Sequence, residues 1–220
     1  MILGIDTSAA QCAVALLGAG PINEADPVVE RRAMERGHAE HLFPMIDVVR
    51  ARAGVGYEGV GRIAVCPGPG SFTGVRIGVA AARGIALGRG IPVIGISRFE
   101  ALAAQTRKIG AGGAVAICLA GRGGTVYLQA FGANGAPLAA PEMTTDTGLE
   151  AAVPPGCTRF AGDAAHLMAG DSAQLADGLP DPVVIARLSD GREGAALPAP
   201  LYLRGADAEM PRVGPPALLD

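Results

Sequence analysis

Residues 65 to 88 read VCPGPGSFTGVRIGVAAARGIALG: an apolar strand, a glycine–proline loop and a long helix of small residues. Loops of this kind hold phosphate when they open a helix, because the first N–H groups of the helix are unpaired and its dipole favours an anion. Gly68, Gly70 and Gly74 would be the phosphate glycines. The spacing matches neither standard template. A dinucleotide loop needs Gly-x-Gly-x-x-Gly, and here three residues separate the last pair. A Walker A loop ends in Gly-Lys-Ser/Thr, and here Val75 and Arg76 follow Gly74. The alternative is structural: Pro67 and Pro69 stiffen a turn, and Ser71 or Thr73 caps the helix. A second candidate lies at Asp6, Thr7 and Ser8, just after a strand. In a phosphotransferase an acid there would orient a metal-bound water, and the hydroxyls would touch phosphate. The same residues also close hairpins as Asx or Ser/Thr turns. The histidines carry less. His38 and His41 are three apart, whereas a zincin helix sets its ligands four apart, and Asp47 lies about two turns on. His166 stands alone, and no Gly-x-Ser-x-Gly elbow accompanies it.

These groups need elements to hold them. MILGID and QCAVALLG read as a hairpin, and DPVVERRA as a third strand. From His38 to about Arg52 the residues Leu42, Met45, Ile46 and Val49 recur at helical spacing, with Pro44 marking a first turn or a kink. RIAVCPG is a strand, the glycine loop leads into a helix, and IPVIGIS is a strand. RFEALAAQTR starts a helix near Ser97, with Glu100 completing a capping box. KIGAGGA breaks the pattern, so the expected boundary lies near residue 110. Beyond it, AVAICLAG, TVYLQAFG, APLAAPEMTT, CTRFAG and DPVVIA read as strands, an echo of the first half without shared identity. PRVGPPALLD reads as a loose tail.

Composition narrows the classes. The 220 residues suffice to bury a core, and half of them are hydrophobic, which excludes a disordered chain. Eighteen basic residues against 21 acidic ones, with Lys108 the single lysine, leave no basic stripe for a phosphate backbone. Alone, the chain should bind nucleic acid poorly. Cys12, Cys66, Cys118 and Cys157 form no Cys-x-x-Cys and are expected as reduced, mostly buried thiols. MILGIDTS is no signal peptide, and no apolar run reaches the roughly 20 residues of a membrane span, so a cytoplasmic protein without membrane contact is expected.

The helix after the loop carries Gly74, Gly78, Ala82 and Ala86 four apart on one face. A glycine inside a helix costs roughly 1 kcal/mol against alanine, so something needs close approach there. That can be a partner helix or the chain's own sheet. The expectation taken forward is a partner interface. Leu42, Met45 and Val49 of the first helix would join the small-residue stripe, and the free protein would homodimerise through them.

GIDTS, HAEHLFPMID, PGPGSFTGVRIGVAAARGIALG, PVIGISRFEALA and PLYLRGADA occur in this order. On them the chain resembles the TsaB (YeaZ) family of bacterial tRNA threonylcarbamoyladenosine biosynthesis proteins. That family lies in the glycoprotease-like branch of the actin, sugar-kinase and heat-shock ATPase superfold. The resemblance is strong to about residue 108 and then thin, apart from TVYLQAF and PLYLRGADA. It implies an α/β fold of two tandem ribonuclease H-like, actin/sugar-kinase type subdomains. Each would be a mixed five-stranded sheet with helices, over 1–110 and 111–210, followed by a tail at 211–220. It implies a noncatalytic partner of a TsaD-like catalytic subunit, joined by a TsaE-like ATPase, with tRNA met only through the complex. No cofactor of its own is required, and ATP or ADP would lie, if anywhere, at the interface with the partner. Asp6, Thr7, Ser8, Gly68 and Gly70 would be vestigial phosphate turns. The His-x-x-x-His metal pair of the catalytic paralogue is absent. Where relatives read Asp-Ala-Arg-Arg-Gly-Glu-Val-Tyr the chain has AGRGGTVY, so Ala120 and Thr125 replace the two acids. The alternatives are a nucleotide-dependent, kinase-like enzyme of the same superfold and a glycoprotease-like metallopeptidase.

Overall fold

A computed structural model describes residues 1–18, 27–109, 113–168, 173–174, 177–194 and 196–203. The expected tail at 211–220 and the last five residues of PLYLRGADA lie outside them. The first half runs β1 (Ile2–Asp6), β2 (Gln11–Leu17), β3 (Val28–Ala33), α1 (His38–Arg52), β4 (Arg62–Val65), α2 (Phe72–Arg89) and β5 (Val93–Gly95). The second begins with α3 (Arg98–Ile109). It continues through β6 (Ala114–Ala120), β7 (Thr125–Phe131), β8 (Glu142–Thr145), α4 (Leu149–Ala152), β9 (Cys157–Ala161), β10 (Ala173–Gln174) and α5 (Pro182–Ser189).

The strands form two five-stranded sheets, ordered β3-β2-β1-β4-β5 and β8-β7-β6-β9-β10. In each, a hairpin is followed by a third antiparallel strand, and two further strands add in parallel. The two sheets are therefore one design used twice, the duplicated α/β fold expected from the resemblance. β1 is buried along its whole length, as a strand covered on both faces must be. α1 and α2 cover one face through Leu42, Ile46, Val49, Val75 and Val79, all buried against Leu3, Ile5 and Val14. Each such side chain contributes about 1.5–3 kcal/mol by leaving water.

Local signals behave as their chemistry requires. Ser71 caps α2, its Oγ accepting from Gly74 N at 3.2 Å, and Gly90, at φ 64°, ends it. Ser97 and Glu100 form the capping box: Glu100 N donates to Ser97 Oγ and Ser97 N to Glu100 Oε2. α1 runs through Pro44, which sits on its exposed side. The second half differs from expectation in its later elements: its fifth strand is β10 (Ala173–Gln174), and α4 (Leu149–Ala152) is not among the expected elements. DPVVIA is the start of α5 and not a strand. Asp181 caps it, accepting from Val183 N at 2.8 Å, and Pro182 takes the first turn, where a missing N–H costs nothing. Its β-branched run suits a helix buried on nearly every side.

α5 does not stay with its own half. It lies on β1, β2 and β4 of the first sheet, whereas α3, which follows the first sheet, lies on β6 and β9 of the second. The two helices touch each other, so each half closes the core of the other.

Candidate functional site: a sealed acidic turn and an outward helical face

Asp6 ends β1, and its carboxylate is fully buried. Its Oδ1 accepts from Ser8 N at 2.9 Å and from Ser8 Oγ at 2.6 Å, and its Oδ2 accepts from Gln11 Nε2 at 2.8 Å. The first of these bonds is an Asx turn. Thr7 Oγ1 donates to Gly74 O at 2.7 Å, and Ser71 N donates to Ser8 O at 2.8 Å. The glycines of the loop are there for this contact. A Cβ on Gly70 would collide with Ser8 O, one on Gly74 with Thr7 O, and one on Gly78 with Thr7 Oγ1. Gly68 has φ +100°, which turns the loop, and its O accepts from Arg98 N at 2.8 Å. The two expected phosphate turns thus meet, but they meet each other: the glycine loop seats α2 on the Asp6 turn.

This contact corrects the expected interface. Gly74, Gly78, Ala82 and Ala86 face inward onto the chain's own sheet, and Leu42, Met45 and Val49 are buried with them. The period of four is there, but the core of the first half takes that side. Two residues further round the helix is about 200°, the opposite face. There Ala80, Gly84 and Gly88 repeat the spacing, exposed, and a Cβ added to either glycine would touch nothing. Leu87 beside them is 87% exposed, and α1 adds Phe43 at 46% and Val48 at 37%. At the start of α2, Arg76 lies 3.5 Å over the Phe72 ring and donates through Nε to Tyr202 Oη at 2.6 Å.

The second turn, between β6 and β7, presents Ala120, which is exposed, and Thr125. An acid does reach this place from another element. Asp163, just past β9, accepts from Ala120 N through Oδ1 at 2.7 Å and pairs through Oδ2 with Arg98 Nη2 at 2.9 Å. Gln11 and Asp163 were not legible as site residues, because neither lies in a recognisable motif, and nothing in PVIGISRFEALA singles out Arg98.

The histidines serve structure. His38 is buried with Nε2 3.1 Å from Gln11 O, His41 Nδ1 accepts from Arg32 Nη1 at 3.2 Å, and His166 Nδ1 donates to Asp163 O at 3.0 Å. Among the described residues no group of three or more His, Cys, Asp or Glu is placed to hold a metal ion. The four cysteines are free; Cys12, Cys66 and Cys118 are buried and Cys157 is half-buried. Burial, and then the nearby Asp6 charge, push the Cys66 thiol far above its usual range. No described helix is long and apolar enough to cross a membrane.

Residues 29–148 match the family model described as TsaD: tRNA N6-adenosine threonylcarbamoyltransferase. The tRNA threonylcarbamoyladenosine biosynthesis protein TsaB of Haemophilus influenzae is 41% identical over 102 residues, 46% of this chain and 41% of that protein. Its Escherichia coli namesake is 34% identical over 126 residues, 57% of this chain and 52% of that protein. The chain thus spans about half the length of the curated relatives it matches. The crystal structure of an uncharacterized Pseudomonas aeruginosa protein with similarity to peptidase YeaZ superposes with a TM-score of 0.77 at 26% identity. That superposition covers 92% of this chain and 99% of that one. With the family model matching more than half of its length, the chain belongs to the TsaD tRNA N6-adenosine threonylcarbamoyltransferase family, on the side of the proteins named TsaB and YeaZ.

Proposed function

We propose that this chain is a noncatalytic partner subunit in tRNA threonylcarbamoyladenosine biosynthesis. It binds a TsaD-like catalytic subunit through the outward face of α1 and α2, with a TsaE-like ATPase joining the assembly. One observation carries the reading: the exposed stripe Ala80, Gly84 and Gly88, flanked by Leu87, Phe43 and Val48. Small residues let a partner helix approach closely, and the large apolar ones leave water when it does. The sealed Asp6 turn and the missing acid at Ala120 support a partner and give no support to a kinase-like enzyme. The absence of any His-x-x-x-His from the sequence supports neither a metallopeptidase nor catalysis by this chain. The net charge of −3 supports contact with tRNA through the complex and not alone.

The test is Gly84→Arg. A bulky charge in the middle of a close helix contact overfills it and is buried unpaired. Affinity for a TsaD-like partner, and self-association of the free chain, should fall about tenfold or more, which is ~1.4 kcal/mol or more. The melting temperature should stay put, because nothing packs on Gly84. Undiminished pairing, measured by sedimentation and by titration against the partner, would remove this face from the proposal.

A further inference from the structure

In open α/β sheets ligands bind at the carboxyl ends of the parallel strands. In this protein those ends converge: Asp6 on β1, Cys66 after β4, Ala120 on β6 and Asp163 after β9. The place is filled. Asp177–Asp181, the stretch leading into α5, crosses it, and three successive carbonyls are held by side chains from earlier in the chain. Gly178 O accepts from Arg98 Nε at 2.9 Å, Leu179 O from Gln105 Nε2 at 3.1 Å, and Pro180 O from Gln11 Nε2 at 2.7 Å. Gln105 Oε1 accepts in return from Asp181 N at 2.8 Å. Gln11 Nε2 is shared between Pro180 O and the Asp6 carboxylate, so the stretch is tied directly to the acid it covers. Arg98, whose side chain is 5% exposed, ties it to Asp163 and so to the second sheet. Gly178, at φ +59°, is needed for the close pass, because a Cβ there would stand 2.7 Å from Arg98 Nη2 and 2.9 Å from Asp163 N.

A nucleotide, the ligand that the fold family implies for this cleft, does not fit these residues. Both Asp6 oxygens have donors from the chain itself, and neither is open to solvent. The cation facing the second turn is already the guanidinium of Arg98. We propose that Asp177–Asp181 is a built-in plug of the cleft, latched by Gln11, Arg98 and Gln105. It fills the room that a nucleotide's phosphates would take and keeps the Asp6–Ser8 turn shut. The resting chain therefore holds no nucleotide between its two sheets, whatever its partner brings to the outer face.

Cys66 reports on the plug. It is fully buried, its Sγ lies 3.3 Å from Ser8 Oγ, and it senses both Asp6 and Arg98. Cys12 and Cys118 are buried in the cores under α1 and α4 and serve as controls. In the full chain, Arg98→Ala should raise the rate of maleimide labelling at Cys66, mapped by mass spectrometry, about tenfold or more. Cys12 and Cys118 should stay protected. Gly178→Ala, which pushes the stretch off the guanidinium without emptying the core, should do the same to a smaller degree. If Cys66 stays as protected as in the unaltered chain in both variants, or opens only together with Cys12 and Cys118, the stretch is no separate plug. Equilibrium dialysis supplies the other arm. The unaltered chain should retain no ADP in millimolar ADP with magnesium, and retention that Asp6→Asn abolishes would overturn the proposal.

Discussion

The two halves share a strand order and differ in almost everything laid on it. In the first, the strand-to-strand connections carry α1 of 15 residues and α2 of 18. In the second, the corresponding connections carry α4 of four residues and a three-residue 3-10 turn, Ala165–Leu167. The first hairpin turn is acidic and buried; the second lacks the acid and is open. Duplicating a sheet preserves what the sheet needs, which is alternation, pairing and a core. It does not preserve what the connections do. Here the first half has kept long helices, and with them an outward face. The second has kept enough to bury its own sheet and to send α5 back across the first. The exchange of α3 and α5 makes the halves mutually dependent, so unfolding should be one cooperative transition.

The strongest way to break this account is inside α2, where two small-residue stripes face opposite ways. Gly74→Val drives a branched side chain into Thr7 O, a backbone atom that cannot swing aside. Overpacking of that kind usually costs about 1–3 kcal/mol, and against backbone more. We expect loss of several kcal/mol, or no folded protein at all. Gly84→Val on the outward stripe meets nothing within 4 Å and should shift stability by about 0.5 kcal/mol or less. Urea unfolding of both variants measures the contrast. Equal effects would mean that α2 is not seated on the Asp6 turn.

That pair also marks how far the sequence could be read. The periods of four in α2, the capping box at Ser97 and the hairpin strands were all legible, because each is a local pattern with a local cause. Which side of α2 faces the core was not. Both stripes are small and four apart, and the choice is made by Thr7 and Ser8, more than 60 residues away. DPVVIA has the β-branched composition of a strand, and only the Asp-Pro start signalled a helix. Gln11, Gln105 and Asp163 belong to no motif, and nothing in PVIGISRFEALA singles out Arg98; they matter because the fold brings β2, α3 and the end of β9 to one point. The echo between the halves was visible as a strand rhythm, and the shared sheet order turns it into a duplication.

Alkaline pH sharpens the comparison by loading both cores at once. Burial, and then the Asp6 charge, raise the Cys12 thiol in the first half from 9.0 to about 11. Burial, followed by the Cys157 thiol, raises Cys118 in the second half from 9.0 to about 12. Both folded values lie above the unfolded one. Their stabilising contribution is therefore complete below about pH 9, and it is lost as pH rises through 11 to 12, where the unfolded chain has already shed its protons. Stability should fall across that window. The informative quantity is the slope of each variant against the unaltered chain, which cancels whatever else responds to alkali. Cys12→Ala and Cys118→Ala should each flatten the decline. If only one does so, the two cores are not equally closed.

The smallest effect expected is from putting the missing acid back. If the halves differ in function merely because Ala120 stands where the resemblance implies an aspartate, then Ala120→Asp should restore a second phosphate turn and some nucleotide affinity. The packing predicts otherwise. Ala120 is exposed, and its N–H already donates to Asp163 Oδ1, so a new carboxylate would sit beside an existing one and share Arg98 with it. At an exposed site the cost should be about 0.5 kcal/mol or less. The room between the turns would still be taken by Gly178 and the Arg98 guanidinium. The variant should therefore melt within a few degrees of the unaltered chain and retain no ADP in dialysis. Combining Ala120→Asp with Arg98→Ala separates the two causes. Affinity gained by the single variant would make the acid the whole difference between the halves. Affinity gained only by the double variant would place the difference in what fills the cleft.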